Sequence, residues 1–310
     1  MTDFITGVRC PAALAAVALS AVLAACSVRT MAVNALGNEL AEAGSSWARD
    51  DDPELVRDAT PFALKTIESL LEQSPRHRGL LLAAASGFTE YSYAFVQCEA
   101  DYVETRDLAA ATAMRARAGK LYRRALEYGL RGLEVGHPGL RESLRRDPDR
   151  AVLAMRSKGE VPLLYWTATA WGAAIAVAKE DPELAAGLPA TEALVRRALA
   201  LDEGFGAGAL YDFQIAYDGG RPASSGGSVE RARADLTSSL ALAAGRRAAP
   251  LVTFAETVSV ASQDRGEFKR LLAEALAVDV ERAPEFRLAN LVAQRRARWL
   301  LARADELFIE

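Results

Sequence analysis

Two histidines, one isolated cysteine and a scatter of carboxylates are the residues of this chain whose types could do chemistry. His77 lies in Pro75-Arg76-His77-Arg78-Gly79 and His137 in Gly136-His137-Pro138-Gly139. Zinc needs a set of nitrogen or sulfur ligands, and a Ser-His-Asp relay needs a base that a carboxylate can orient. Neither histidine has a Glu or a second His at metal spacing, so both are read as surface or helix-capping groups. Gly219-Gly220 and Gly226-Gly227 lack the downstream Lys-Ser/Thr and the preceding strand of a phosphate-binding loop. Asp50-Asp51-Asp52 precedes a helix, where the dipole accounts for negative charge. Cys98 follows Tyr91-Ser92-Tyr93-Ala94-Phe95-Val96, and the other two cysteines, Cys10 and Cys26, lie near the N-terminus. That placement predicts a small buried hydrophobe on a helix. The chain is therefore read as no enzyme, with no metal and no cofactor.

A different kind of candidate is the aromatic or polar residue on an otherwise apolar helix. Tyr91, Tyr93 and Phe95 share one such segment, Trp166 and Trp171 another. Asn290, Gln294 and Arg295 lie near the C-terminus, with Asn290 and Gln294 on one helix face at i, i+4. Together they are candidate lining for a ligand cleft, with aromatic walls and a few polar groups that fix orientation. The alternative for each is core packing and hydrogen bonding between helices.

At the N-terminus, one Arg9 precedes an apolar stretch over 11–23. It is shorter than the roughly 20 residues that span a bilayer and suits a signal-peptide core. Leu23-Ala24-Ala25-Cys26 resembles a lipobox, in which the cysteine thiol receives a diacylglyceryl group before cleavage. The expectation is a signal peptide over 1–25, a lipidated segment over 26–50 and a folded part over 51–310. Acyl chains on Cys26 would anchor that part to a membrane, facing the periplasm, at about 0.8 kcal/mol per buried CH₂. Ser27 after the cysteine favours the outer over the inner membrane.

The elements that would position these residues are helices. Of 310 residues, 51% are hydrophobic and only 7% aromatic, with Ala and Leu dominant. Such residues lose little rotamer freedom on a helix. Net charge is -4 with no basic block, which excludes nucleic acid as a partner. Thr60-Pro61 reads as a helix start, followed by an apolar stripe of Phe62, Leu64, Ile67, Leu70 and Leu71. Further helices are expected over 80–102, 110–134, 161–178, 190–201, 206–217, 229–244, 250–262, 267–277 and 283–308. The one over 161–178 has no polar face and must be buried. The Gly/Pro/Ser-rich stretch 218–228 reads as a flexible surface loop. Helix ends at Leu70-Leu71-Glu72, Ala200-Leu201-Asp202 and Ala277-Val278-Asp279 repeat one pattern, the last two about 77 residues apart, near twice a tetratricopeptide (TPR) period. The fold class is all-α, an α-solenoid of TPR-like helical hairpins.

Several segments resemble one family. They are Asp51-Asp52-Pro53-Glu54-Leu55 through Pro61-Phe62-Ala63-Leu64-Lys65, Leu80-Leu81-Leu82 through Phe95-Val96, and Tyr165-Trp166-Thr167 with Ala170-Trp171-Gly172. The last is Arg287-Leu288-Ala289-Asn290-Leu291 through Trp299-Leu300-Leu301. In this order they resemble the TatT family, TPR lipoproteins associated with TRAP transporters. The resemblance implies a periplasmic homotrimer that binds the TRAP substrate-binding protein and passes or holds a ligand, perhaps an apolar one, in a pore or cleft. Where that family's pattern has His-Glu-Phe, this chain has Tyr211-Asp212-Phe213. A scaffold that recruits proteins to the cell envelope is the alternative function.

Overall fold

Alanine, leucine and glycine at contact positions let the helices of this chain lie close, and the order of those contacts sets the architecture. A computed structural model describes residues 44–309. Every regular element among them is helical. In chain order they are α1 (Gly44–Ala48), α2 (Pro53–Gln73), α3 (Arg78–Ser92), α4 (Cys98–Val103), α5 (Leu108–Gly136), α6 (Leu140–Arg146), α7 (Pro148–Val152) and α8 (Val161–Val177). Then come α9 (Pro182–Ala185), α10 (Leu188–Leu201), α11 (Ala209–Gly219), α12 (Val229–Ala243), α13 (Ala249–Phe254), α14 (Arg265–Leu276), α15 (Arg287–Ala302) and α16 (Ala304–Leu307). A π-helical turn at Tyr93–Gln97 joins α3 to α4, and a second at Ala255–Ser259 extends α13. Cys26 and the expected signal peptide lie outside the described residues.

Each long helix packs on the next, α2 on α3, α3 on α5, α5 on α8 and α8 on α10, and the pattern continues from α11 to α15. Alternate helices also touch, α3 with α8, α11 with α13 and α13 with α15. That is the two-layer arrangement of stacked helical hairpins. One layer holds α3, α8, α11, α13 and α15; the other holds α2, α5, α10, α12 and α14. Contact is close between α5 and α8. A Cβ added at Gly129 would meet Thr167 Oγ1 at 2.4 Å, and one at Gly132 would meet Leu163 Cδ2 at 2.6 Å.

Two apolar clusters form the interior. The larger runs from Leu64 to Leu210 and the smaller from Ile215 to Phe308. The stack does not end open. On its last long helix, α15, the Trp299 ring packs against Tyr102 of α4 at 5.4 Å, and Arg287 Nη1 donates to the Arg49 carbonyl at 3.0 Å. Arg295 bridges Glu54 of α2 and Glu99 of α4. The C-terminal hairpin thus returns to the N-terminal one.

Three local expectations change. The first long helix begins at Pro53, because Asp52 accepts from the Glu54 and Leu55 N–H groups at 3.0 Å each. Thr60 is no cap; it is buried two turns in and donates to the Val56 carbonyl at 2.6 Å. The stretch 218–228 is tied down: Asp218 is buried and held by Arg231 through bonds of 2.7 and 3.0 Å. Gly226, at φ +86°, supplies the left-handed turn that closes it. Residues 140–152, unassigned from periodicity, form α6 and α7, too short to show a stripe. Among the described residues, no helix is long and apolar enough to cross a membrane.

Candidate functional site

The inner layer closes on itself: α3 meets α8, α8 meets α11, α11 meets α13, α13 meets α15, and α15 meets α4, the continuation of α3. For a regular ring of five helices about 9 Å apart, the axes lie about 8 Å from the centre, which leaves a space about 5 Å across.

The unburied face of each inner helix supplies the lining. On α3 and the turn after it, Ser86, Glu90, Tyr93 and Gln97 follow one another outside the buried face. Glu90 is accessible to water, yet burial alone lifts its carboxyl to about 7. An exposed carboxyl raised in this way is crowded by neighbouring helices, as on a concave face and not on a convex one. Tyr93 is similar, 43% exposed while its hydroxyl is held well above its ordinary value by Cys98, burial and Glu256. Across the space, the Tyr165 ring on α8 packs on Trp166 at 4.9 Å and Phe205 at 5.3 Å, and its hydroxyl is pushed up to about 12, chiefly by burial.

Two buried ion clusters complete the ring. Asp212 of α11 pairs with Arg247 and accepts from Ser239 at 2.6 Å, while Arg247 also donates to the Ala207 carbonyl at 3.2 Å. Burial raises the Asp212 carboxyl, and Arg247 and Ser239 offset part of that. Arg296 of α15, 6% exposed, pairs with Glu256 on the second π turn and with Asp101 of α4 at 2.8 Å. It stacks over Trp299 at 4.2 Å. Both π turns therefore sit where the chain's two ends join, each presenting a polar side chain, a common use of such turns.

The residues singled out from the sequence are dispersed by the fold. Tyr93 faces the space. Tyr91 is buried, with Arg117 donating to its hydroxyl at 3.3 Å and Phe95 packed on its ring. Trp166 packs edge-on to Tyr165. Trp171 is half-buried over Gly187, which has no room for a Cβ. Asn290 serves the backbone: it accepts from Ala248 N–H at 2.9 Å and donates to the Arg246 carbonyl at 2.8 Å. Gln294 donates to the Val278 carbonyl at 2.8 Å and caps the end of α14. Arg295 holds Glu99 at 2.7 Å and lies over Tyr102.

Glu90 and Glu256 went unnoticed in the sequence, and Asp212 stood out only as a departure from the family's His-Glu-Phe, although each carries the same signal. Each is the lone charged residue on an apolar run, between Arg78 and Glu99, Glu203 and Asp218, and Arg247 and Asp264. Nothing in the pattern shows that three distant helices bring them to one space.

The remaining chemistry is structural. Cys98 is buried, and desolvation pushes its thiol up to about 12, so it stays protonated. His77 caps α3, its Nδ1 accepting from Leu80 N–H at 3.1 Å. His137 ties the end of α5 to Glu160. Burial pushes the Glu160 carboxyl up, but His137 and the Ser157 and Arg156 N–H groups outweigh that and hold it at about 2. A surface groove of about 690 Å³ beside α6 and α7 is open to solvent and includes none of the residues named for the ring's inner face. Among the described residues no three His, Cys, Asp or Glu gather to hold a metal.

The fold defines a class: a helical-repeat array whose C-terminal hairpin returns to its N-terminal one. The family model described as TRAP transporter T-component matches residues 49–308, and the chain belongs to that family, the TatT proteins, transport-associated accessory components. It is also similar to an uncharacterized protein of Treponema pallidum (strain Nichols), 31% identical over 304 residues that cover 93% of this chain and 94% of that protein.

Proposed function

We propose that this protein is a periplasm-facing lipoprotein accessory of a TRAP-type transporter. It is anchored through lipid on Cys26, in the outer rather than the inner membrane. It assembles as a homotrimer, binds the TRAP substrate-binding protein, and holds or passes a small ligand through the space inside its helical ring. The observation that carries the ligand part is Glu90, wet yet desolvated on the inner face of α3. A plain scaffold has no use for an unpaired carboxylate inside its array. Tyr93, Tyr165 and Trp166 supply aromatic walls of the kind small-molecule sites use.

The test is size exclusion with light scattering on the purified protein, alone and mixed with the TRAP substrate-binding protein of the same organism. A trimer that shifts to a larger defined complex is the expected result. A monomer indifferent to that protein overturns the transport assignment.

A further inference from the structure

The large apolar side chains left in solvent are not scattered evenly. Among the described residues, Phe62 of α2 is 80% exposed and Leu55, two turns before it, 58% exposed. Spacings of four and three put Leu55, Ala59 and Phe62 on one face of α2, and all three are exposed. Helix α5 runs beside α2 in the same direction: Tyr128 donates to Glu68 at 2.8 Å and Arg131 to the Pro75 carbonyl at 3.2 Å. Leu108, 64% exposed at the start of α5, therefore lies toward the same end of the array. The flank of this apolar ridge is acidic, with Asp51, Asp52 and Asp58 all exposed. Arg57 is shared by Glu54 and Asp58, so the flank stays negative.

The opposite end of α5 carries the complement. Beyond its last residue, 29 positions and about 43 Å along, α7 and α10 border a groove of about 520 Å³. Its apolar lining is Val152, Leu153, Ala193 and Ala200, and Leu153 is 58% exposed. The carboxylates of the groove are engaged: Arg196 pairs with Asp149, and Asp147 accepts from the Arg150 N–H at 3.1 Å. Arg197 donates to the Met155 carbonyl. The Arg150 guanidinium is exposed and has no ion pair among the described residues.

An acidic ridge and a groove with a free cation, so far apart on one molecule, cannot meet within one chain. They meet when a second copy docks. A bilayer fits the ridge poorly, because anionic head groups would face Asp51, Asp52 and Asp58. Contacts between different patches of identical chains close into a ring when successive rotations complete a full turn. We propose that Phe62 and Leu55 of one copy seat in the groove beside α7 of the next, with Asp58 against Arg150, and that three such contacts close the trimer. This rests on the reading of the protein as a homotrimer.

The test is light scattering on the purified protein and on Phe62→Arg and Leu153→Arg, with circular dichroism to check that each keeps its helices. Both substitutions fall at exposed positions. The unaltered protein should have the mass of three chains and each variant about a third of it. Mixed in equal amounts, the two variants should form a complex of two chains, because the groove of one and the ridge of the other are intact and can meet once. Val229→Arg, at a position 47% exposed and outside both surfaces, should remain a trimer. The contact is overturned if the unaltered protein is a trimer and either ridge or groove variant stays one, if Val229→Arg dissociates as they do, or if the mixed variants do not pair. The trimer reading fails separately, and the contact with it, if the unaltered protein has the mass of one chain.

Discussion

Around α5 and α8 the helices touch through small residues, Gly129 against Thr167 and Gly132 against Leu163, and the cluster there is almost wholly apolar. Around α13 and α15 the same kind of layer contact is made through Asn290, Gln294 and Arg296, whose polar atoms bond across helices. Close apolar contact fixes distance and tolerates no added volume. Polar contact fixes orientation, because each bond has a direction and an unmet partner is costly when buried. The second mode is used where the chain's ends must meet in one register. There a slip of one turn would otherwise cost little.

Arg296→Ala should give the largest effect. It leaves Glu256 and Asp101 without their shared cation, and removing one partner of a buried pair costs about 4 kcal/mol. Urea unfolding should show this as a lower midpoint, and an effect under about 1 kcal/mol would mean the polar contact is dispensable. Gly129→Val should come next, at about 3 kcal/mol, because the added atoms meet the Thr167 backbone as well as its hydroxyl. If Gly129→Val were neutral, α5 and α8 would not be in close contact, and the contrast would collapse.

A third effect should appear only as a pH dependence. The folded Glu90 carboxyl keeps its proton up to about 7, against an ordinary value of 4.5 in the unfolded chain. Between those values the folded state binds more protons, so stability falls as pH rises from about 4.5 to about 7. Glu160 works in the opposite sense: its stabilising contribution is complete above 4.5 and lost as pH falls toward about 2. Thermal melts of Glu90→Gln should lose the decline between pH 5 and 7 and keep the acid limb; an unchanged profile would place Glu90 on an ordinary surface.

The helices were legible because their signals are local. The stripe from Leu64 to Leu71 and the apolar helix around Trp166 both act within a turn or two. Thr60-Pro61 misled because an equivalent signal, Asp52-Pro53, stands upstream, and Val56 and Thr60 are buried only if the helix starts there. The π turns were not legible, since Tyr93–Gln97 and Ala255–Ser259 read as ordinary helix until tertiary contacts reward an extra residue. Asn290 and Gln294 were recognised as unusual on their helix, but the backbone groups they bond lie on elements that only the fold brings near. Closure of the ring left no mark in any single segment.

That closure changes how the molecule should come apart. An open solenoid can fray from either end, one hairpin at a time, because each repeat leans only on its neighbours. Here Arg287 holds the Arg49 carbonyl, and Trp299 holds Tyr102, so the last hairpin doubles as the missing neighbour of the first. Neither end is a free end. Unzipping must begin by breaking the clasp between α15 and the α2–α4 region, and only then can hairpins leave in turn.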